Sequence, residues 1–254
     1  MEVISLFKEY LRYLKSPTYA YKRDQPLDLV DVTKLYFMVF ALELLMFIPM
    51  SSLVGVENLP HAMETVMEQY SGWQVFMLAV IIAPILEEFM FRFHLRYKPL
   101  IFLFLIICLT GFNYLVVGDT LEIDAHAAMH DPWIVLDSVT RYLPYVGIMG
   151  LLYLLYLGIA QLRKLVDRMI VSEFAFVFYL TAVIFALVHI FNFELGTTPW
   201  YFIPLLVMPQ FVLALFLGYV RVRNNILYSI YVHMLNNSIP MLLFFLASLS
   251  GDLQ

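Results

Sequence analysis

Two adjacent glutamates and an arginine, Glu87-Glu88-Phe89-Met90-Phe91-Arg92, follow a segment that is apolar at every position from Val75 to Leu86. A carboxylate at bilayer depth costs a few kcal/mol, so charged groups kept there are read first as functional. Glu88 and Arg92 are four residues apart, share a helical face and can pair, which lowers the cost of burying both. Glu87 is rotated about 100° from Glu88 and is left to point towards the bundle interior. A purely structural clamp accounts for Glu88 and Arg92 but gives Glu87 no role. A carboxylate in apolar surroundings suits a general base.

Two histidines lie in later apolar segments. His189 closes Phe185-Ala186-Leu187-Val188-His189, with Phe185 one turn before it, and His233 opens His233-Met234-Leu235-Asn236-Asn237, with Asn237 one turn after it. A lone helical histidine is more often a satisfied core group than a catalyst. Two of them, one sharing its face with a carboxamide, change that weighting. A carboxylate, two imidazoles and an amide make a hydrolytic set of base, helper and oxyanion donors.

Glu-Glu-x-x-x-Arg at 87–92, Phe-x-x-x-His at 185–189 and His-x-x-x-Asn at 233–237 occur in this order, each in an apolar run. In that combination the chain resembles the CPBP family, the CAAX proteases and bacteriocin-processing (Abi) proteins that include the type II CAAX prenyl endopeptidases. The stretch Gly218-Tyr219-Val220-Arg221-Val222-Arg223 resembles the family's approach to its third motif. The resemblance implies an intramembrane endopeptidase acting on a membrane-associated peptide, either prenylated and CAAX-type or bacteriocin-like. It implies that Glu87, helped by His189, activates water, and that His233 and Asn237 bind the developing oxyanion. Glu88 and Arg92 would support the helix. Members have been described both as metalloproteases and as metal-free glutamate proteases, and Glu87, His189 and His233 are the residues for zinc in the first case. The rival readings are a non-proteolytic scaffold or immunity protein that keeps the fold, and a transporter.

The elements that position these groups follow from composition. The hydrophobic fraction of 62%, the charged fraction of 14% and a mean hydropathy of +0.82 describe an integral membrane protein whose partner is the lipid bilayer. A net charge of -5 argues against nucleic acid. The single cysteine, Cys108, excludes an intrachain disulfide and a thiolate zinc site. Seven apolar runs, about 35–55, 73–95, 100–117, 142–160, 174–192, 200–220 and 226–248, predict an all-α polytopic protein with about seven transmembrane helices in one bundle. Residues 1–34 read as a cytoplasmic amphipathic segment, not a cleavable signal, lying on the membrane or packed on its own protein. Residues 35–254 read as the transmembrane protease domain, carrying an inserted helix pair and external loop at about 99–172.

Lys and Arg crowd one side of the predicted spans, from Lys8 to Lys34, at Arg92, Arg96 and Lys98, at Arg163, Lys164 and Arg168, and at Arg221 and Arg223. Only Arg141 falls on the other side, among acids, which places the N-terminus in the cytoplasm and the C-terminus outside a bacterial inner membrane. His126 and His130 in the external loop have metal-like spacing but lack a zincin glutamate, and a solvated acidic loop is the stronger reading. Glu43 is a further intramembrane acid. His189 falls late in its run, whereas Glu87 and His233 lie nearer the cytoplasmic end, so a tilt or a shifted start is needed to bring the three level.

Overall fold

The computed structural model of the chain describes residues 2–54, 70–96, 98, 101, 104–105, 132–193 and 199–250. The third apolar run lies almost wholly outside them, as do Cys108, His126, His130 and the loop acids from Asp119 to Asp131. The main elements are helices: α1 (Val3–Lys15), α2 (Leu29–Val54), α3 (Gly72–Leu95), α4 (Pro132–Gly158), α5 (Ala160–Ser172), α6 (Phe174–Val188), α7 (Met208–Arg223) and α8 (Ile226–Ser250). They fall into two compact units, Met1–Arg96 with Glu173–Gln254, and Tyr97–Ser172.

In the first unit α7 is the central helix. Every residue from Leu213 to Arg223 is buried, the all-round burial expected of a helix enclosed by others. Gly218 allows the closest approach: a Cβ there would lie 2.7 Å from the ring of Phe178 on α6. The amphipathic α1 turns Leu6, Tyr10 and Tyr13 inwards. Tyr10 packs edge-on to Phe216 at 5.6 Å, and Tyr13 meets Phe178 at 5.4 Å. Arg223 seals this contact, pairing with the buried Glu9 and reaching the Tyr219 hydroxyl at 2.6 Å.

Helix α3 is not uniform. A capping box of Ser71 and Gln74 starts it, Met77–Ile82 is a π-helical segment, and Ala83–Arg92 is α-helical. Proline explains the placement. The Ala83 amide donates to Leu78 O in the π register, so the next donor, serving Ala79 O, would be residue 84. Pro84 has no N–H, and the Ala79 carbonyl is left for another partner.

The second unit is described by α4 and α5. Gly147–Gly158 turns through 106° into Ala160–Ser172, and Tyr156 braces the bend by donating to Asp167 at 2.8 Å.

The expected seven spans are not found among the described residues. Among the described residues two helices are long and apolar enough to cross a membrane, Gly72–Leu95 and Phe174–Asn192. The number is four if each bent pair counts as one span, Gly147–Gly158 with Ala160–Ser172 and Trp200–Leu206 with Met208–Arg223. The length of an apolar run measures hydropathy and is blind to bends. The run at 200–220 breaks by 43°, with Pro209 opening the helix after the break. The two qualifying helices make the protein membrane-associated.

Candidate active site

Helices α3 and α6 run antiparallel in a register set by three contacts. His94 Nε2 lies 3.1 Å from Thr181 Oγ1, Phe91 meets Phe185 edge-on at 5.4 Å, and Glu87 Oε2 lies 3.8 Å from His189 Nε2. Helix α6 ends at Val188, and a 3-10 turn carries His189 opposite the middle of the Ala83–Arg92 helix. The level mismatch expected from sequence is met by the stagger of the two helices, which sets Thr181, seven residues into α6, beside His94 at the end of α3.

Helix α8 supplies the third group. His233 Nε2 lies 3.6 Å from the same Glu87 Oε2, and its Nδ1 lies 3.0 Å from Glu88 Oε1. Glu87, His189 and His233 thus converge on one point. Asn237, one turn beyond His233, donates to Ala79 O at 2.9 Å, supplying the partner that Pro84 withholds. One of its two amide hydrogens is used in this way.

The proton positions follow from the partners. Glu88 is fully buried and its Oε1 lies 3.1 Å from Nη1 of Arg92, itself only 1% exposed. Paired with a guanidinium, the carboxylate is ionised and only accepts, so Nδ1 of His233 carries a hydrogen. His189 Nδ1 lies 2.7 Å from Phe185 O, also an acceptor only, so its Nδ1 carries a hydrogen too. In the neutral rings both Nε2 atoms then present lone pairs towards Glu87 Oε2. That oxygen is buried and makes no hydrogen bond among the described residues. Three acceptors face one another without a proton, an arrangement that a water donating to two of them satisfies.

Arg92 is held mainly by stacking. Among the described residues its Nη atoms make no well-directed hydrogen bond, although the charge contact to Glu88 is short. The guanidinium lies over Phe185, 3.7 Å from Cζ to the ring centroid, a close cation–π contact. Phe185 also meets His189 at 4.5 Å and His233 at 5.7 Å between centroids. One fully buried ring therefore sets the arginine and both imidazoles.

Sequence reasoning placed Phe185 on the face of His189 but gave it no work, and it left Glu88 facing Arg92 alone. The motif spacing carried a signal for Phe185, whereas nothing local tied Glu88 to His233. Arg221, within the Gly218–Arg223 stretch, was likewise given no role. It donates through Nε to Arg92 O at 3.1 Å and through Nη2 to Phe93 O at 3.2 Å, satisfying carbonyls at the end of the glutamate helix. Among the described residues no group of three or more His, Cys, Asp or Glu side chains is placed to hold a metal ion.

Neither the curated proteins nor the solved structures gave a match to the chain. A family profile described as type II CAAX prenyl endopeptidase Rce1-like matches residues 69–239, a segment that begins just before α3 and includes Glu87, His189, His233 and Asn237. The chain belongs to this family and is a membrane-associated protease.

Proposed function

We propose that the protein hydrolyses a peptide bond of a membrane-associated substrate with a water activated by Glu87. The observation that carries this reading is the buried, unbonded Glu87 Oε2 facing the Nε2 atoms of His189 and His233 at 3.8 and 3.6 Å. A water in that space donates to Glu87 and to His189 and turns its lone pair towards the scissile carbonyl. Glu87 takes the proton as the carbon–oxygen bond forms and returns it to the leaving amine. In its imidazolium form, reached from the neutral ring by taking a proton from solvent, His233 keeps its Nδ1 hydrogen on Glu88 and donates the Nε2 hydrogen to the oxyanion. Asn237 offers its remaining amide hydrogen to the same oxygen. The side chain of Glu87 is 26% exposed, enough to be reached by substrate, while Glu88 and Arg92 are sealed beneath it.

The family description favours a prenylated CAAX-type peptide as substrate. The Lys/Arg asymmetry favours an N-terminus in the cytoplasm and a C-terminus outside. The test is cleavage of a farnesylated CAAX peptide by the purified protein in nanodiscs. Glu87→Ala and His233→Ala should each remove activity while the thermal unfolding of Glu87→Ala stays near that of the parent. Full activity in both variants overturns the mechanism. Activity should survive exhaustive chelation with metal content measured; loss reversed by zinc overturns the metal-free step. Failure on prenylated peptide with retained cleavage of unprenylated membrane peptides rejects the substrate class alone.

A further inference from the structure

Helix α5 leaves the apolar segment Gly147–Gly158 at 106° and carries a two-sided pattern. Leu162, Leu165, Val166, Met169 and Ile170 lie on one face, and Arg163, Lys164, Asp167 and Arg168 on the other. Ile170 is buried, but Leu165 and Met169 at the outer edge of the apolar stripe are 52% and 55% exposed. Asp167 is the one acid of the helix and is engaged by Tyr156 and by Lys98 at 4.0 Å. Arg163, Lys164 and Arg168 make no ion pair among the described residues. A segment re-entering the bilayer core would have to desolvate four charged groups within thirteen residues, which makes an in-plane position the cheaper one.

We propose that α5 is an interfacial helix that seats Leu165 and Met169 among the acyl chains of an anionic leaflet and holds its lipid headgroups with Arg163, Lys164 and Arg168. A helix with an apolar stripe and a cationic opposite face lies at the boundary of headgroup and acyl chain, and its affinity depends on anionic lipid. The bend braced by Tyr156 and Asp167 sets the angle between the in-plane helix and the apolar segment before it.

The experiment uses the full chain with Cys108→Ser, reconstituted in nanodiscs of phosphatidylcholine with or without phosphatidylglycerol. An environment-sensitive fluorophore is attached at Met169→Cys on the apolar edge or at Val171→Cys on the opposite face. The Met169 probe should be quenched by doxyl lipid and shielded from iodide, the Val171 probe the reverse. Phosphatidylglycerol should enhance the contrast, and high salt or the triple substitution of Arg163, Lys164 and Arg168 to Gln should remove that enhancement. Iodide quenching of Met169 equal to that of Val171 overturns the proposal in favour of a solvated helix. Shielding from both quenchers overturns it in favour of a protein partner, and equal behaviour in the two lipids rejects the headgroup contact. The lipid comparison on the unsubstituted basic face decides the matter even if the triple variant does not fold.

Discussion

Glu88 Oε1 is shared between His233 Nδ1 at 3.0 Å and Arg92 Nη1 at 3.1 Å, so one fully buried carboxylate joins the glutamate helix to the histidine of the last helix. The second glutamate of the pair thereby has two tasks. It neutralises Arg92, and it fixes which nitrogen of His233 faces Glu87.

The first prediction concerns that link. Glu88→Gln keeps the shape but removes the charge that supports a doubly protonated His233. It should lower kcat by roughly 10²-fold or more with a smaller effect on KM, because a wrongly protonated imidazole cannot serve the transition state. It also leaves Arg92 buried without its counter-charge, which should destabilise the fold by about 3–5 kcal/mol. Steady-state kinetics and thermal unfolding of the same preparation separate the two effects. An unchanged kcat would show that His233 does not depend on Glu88.

Pro84 provides the second. Restoring an amide hydrogen with Pro84→Ala offers Ala79 O a backbone donor and places it in competition with Asn237. The π segment can then relax towards α-helix, and loss of the extra residue turns Glu87 by about 100° relative to the start of α3. The expected outcome is retained helix content with activity reduced by at least about tenfold, since a misplaced base forfeits its orientation. Circular dichroism with a cleavage assay checks it. Undiminished activity would mean that the π segment does not position Glu87.

At Gly218 the expectation is one of packing. An alanine Cβ would come within 2.7 Å of Phe178, whose ring is held by Tyr13 at 5.4 Å and Tyr179 at 5.4 Å and has little room to move. Gly218→Ala should cost about 1–3 kcal/mol through overpacking. A fall in melting temperature in detergent would report it. Unchanged stability would show that α6 and α7 can move apart at no cost.

The N-terminal helix should be sensitive to alkali. Burial pushes the phenols of Tyr10, Tyr13 and Tyr21 above their ordinary range, with Glu43 adding to the effect at Tyr10, neighbouring tyrosines at Tyr13 and Glu9 at Tyr21. A folded-state pKa above the unfolded one means that this stabilisation is complete below the unfolded value of about 10 and is lost as pH rises through the folded values. Trypsin should therefore leave α1 intact at neutral pH and cut at Arg12 or Lys15 increasingly above about pH 10. Tyr10→Phe and Tyr13→Phe together should flatten that dependence. Cleavage that is independent of pH would contradict it.

Much of this site was legible in the chain before folding. The four-residue spacing of Glu88 and Arg92, of Phe185 and His189, and of His233 and Asn237 is a property of the helix itself. Helical pitch places such pairs on one face whatever surrounds them. The hydropathy of the flanking residues likewise determined that these faces sit in apolar helices, and the order of the three motifs pointed to the family. What the sequence could not determine is which face meets which. Glu88 and His233 are 145 residues apart, and Asn237 and Ala79 are 158 apart, and no local periodicity encodes either meeting. The carbonyl that Pro84 leaves without a backbone donor, taken up by Asn237, and the buried Glu88–His233 contact hold that register. Among the described residues two helices qualify as spans, or four if each bent pair counts as one, because hydropathy reports the preference of a segment for lipid, whereas its path is settled by the helices packed against it.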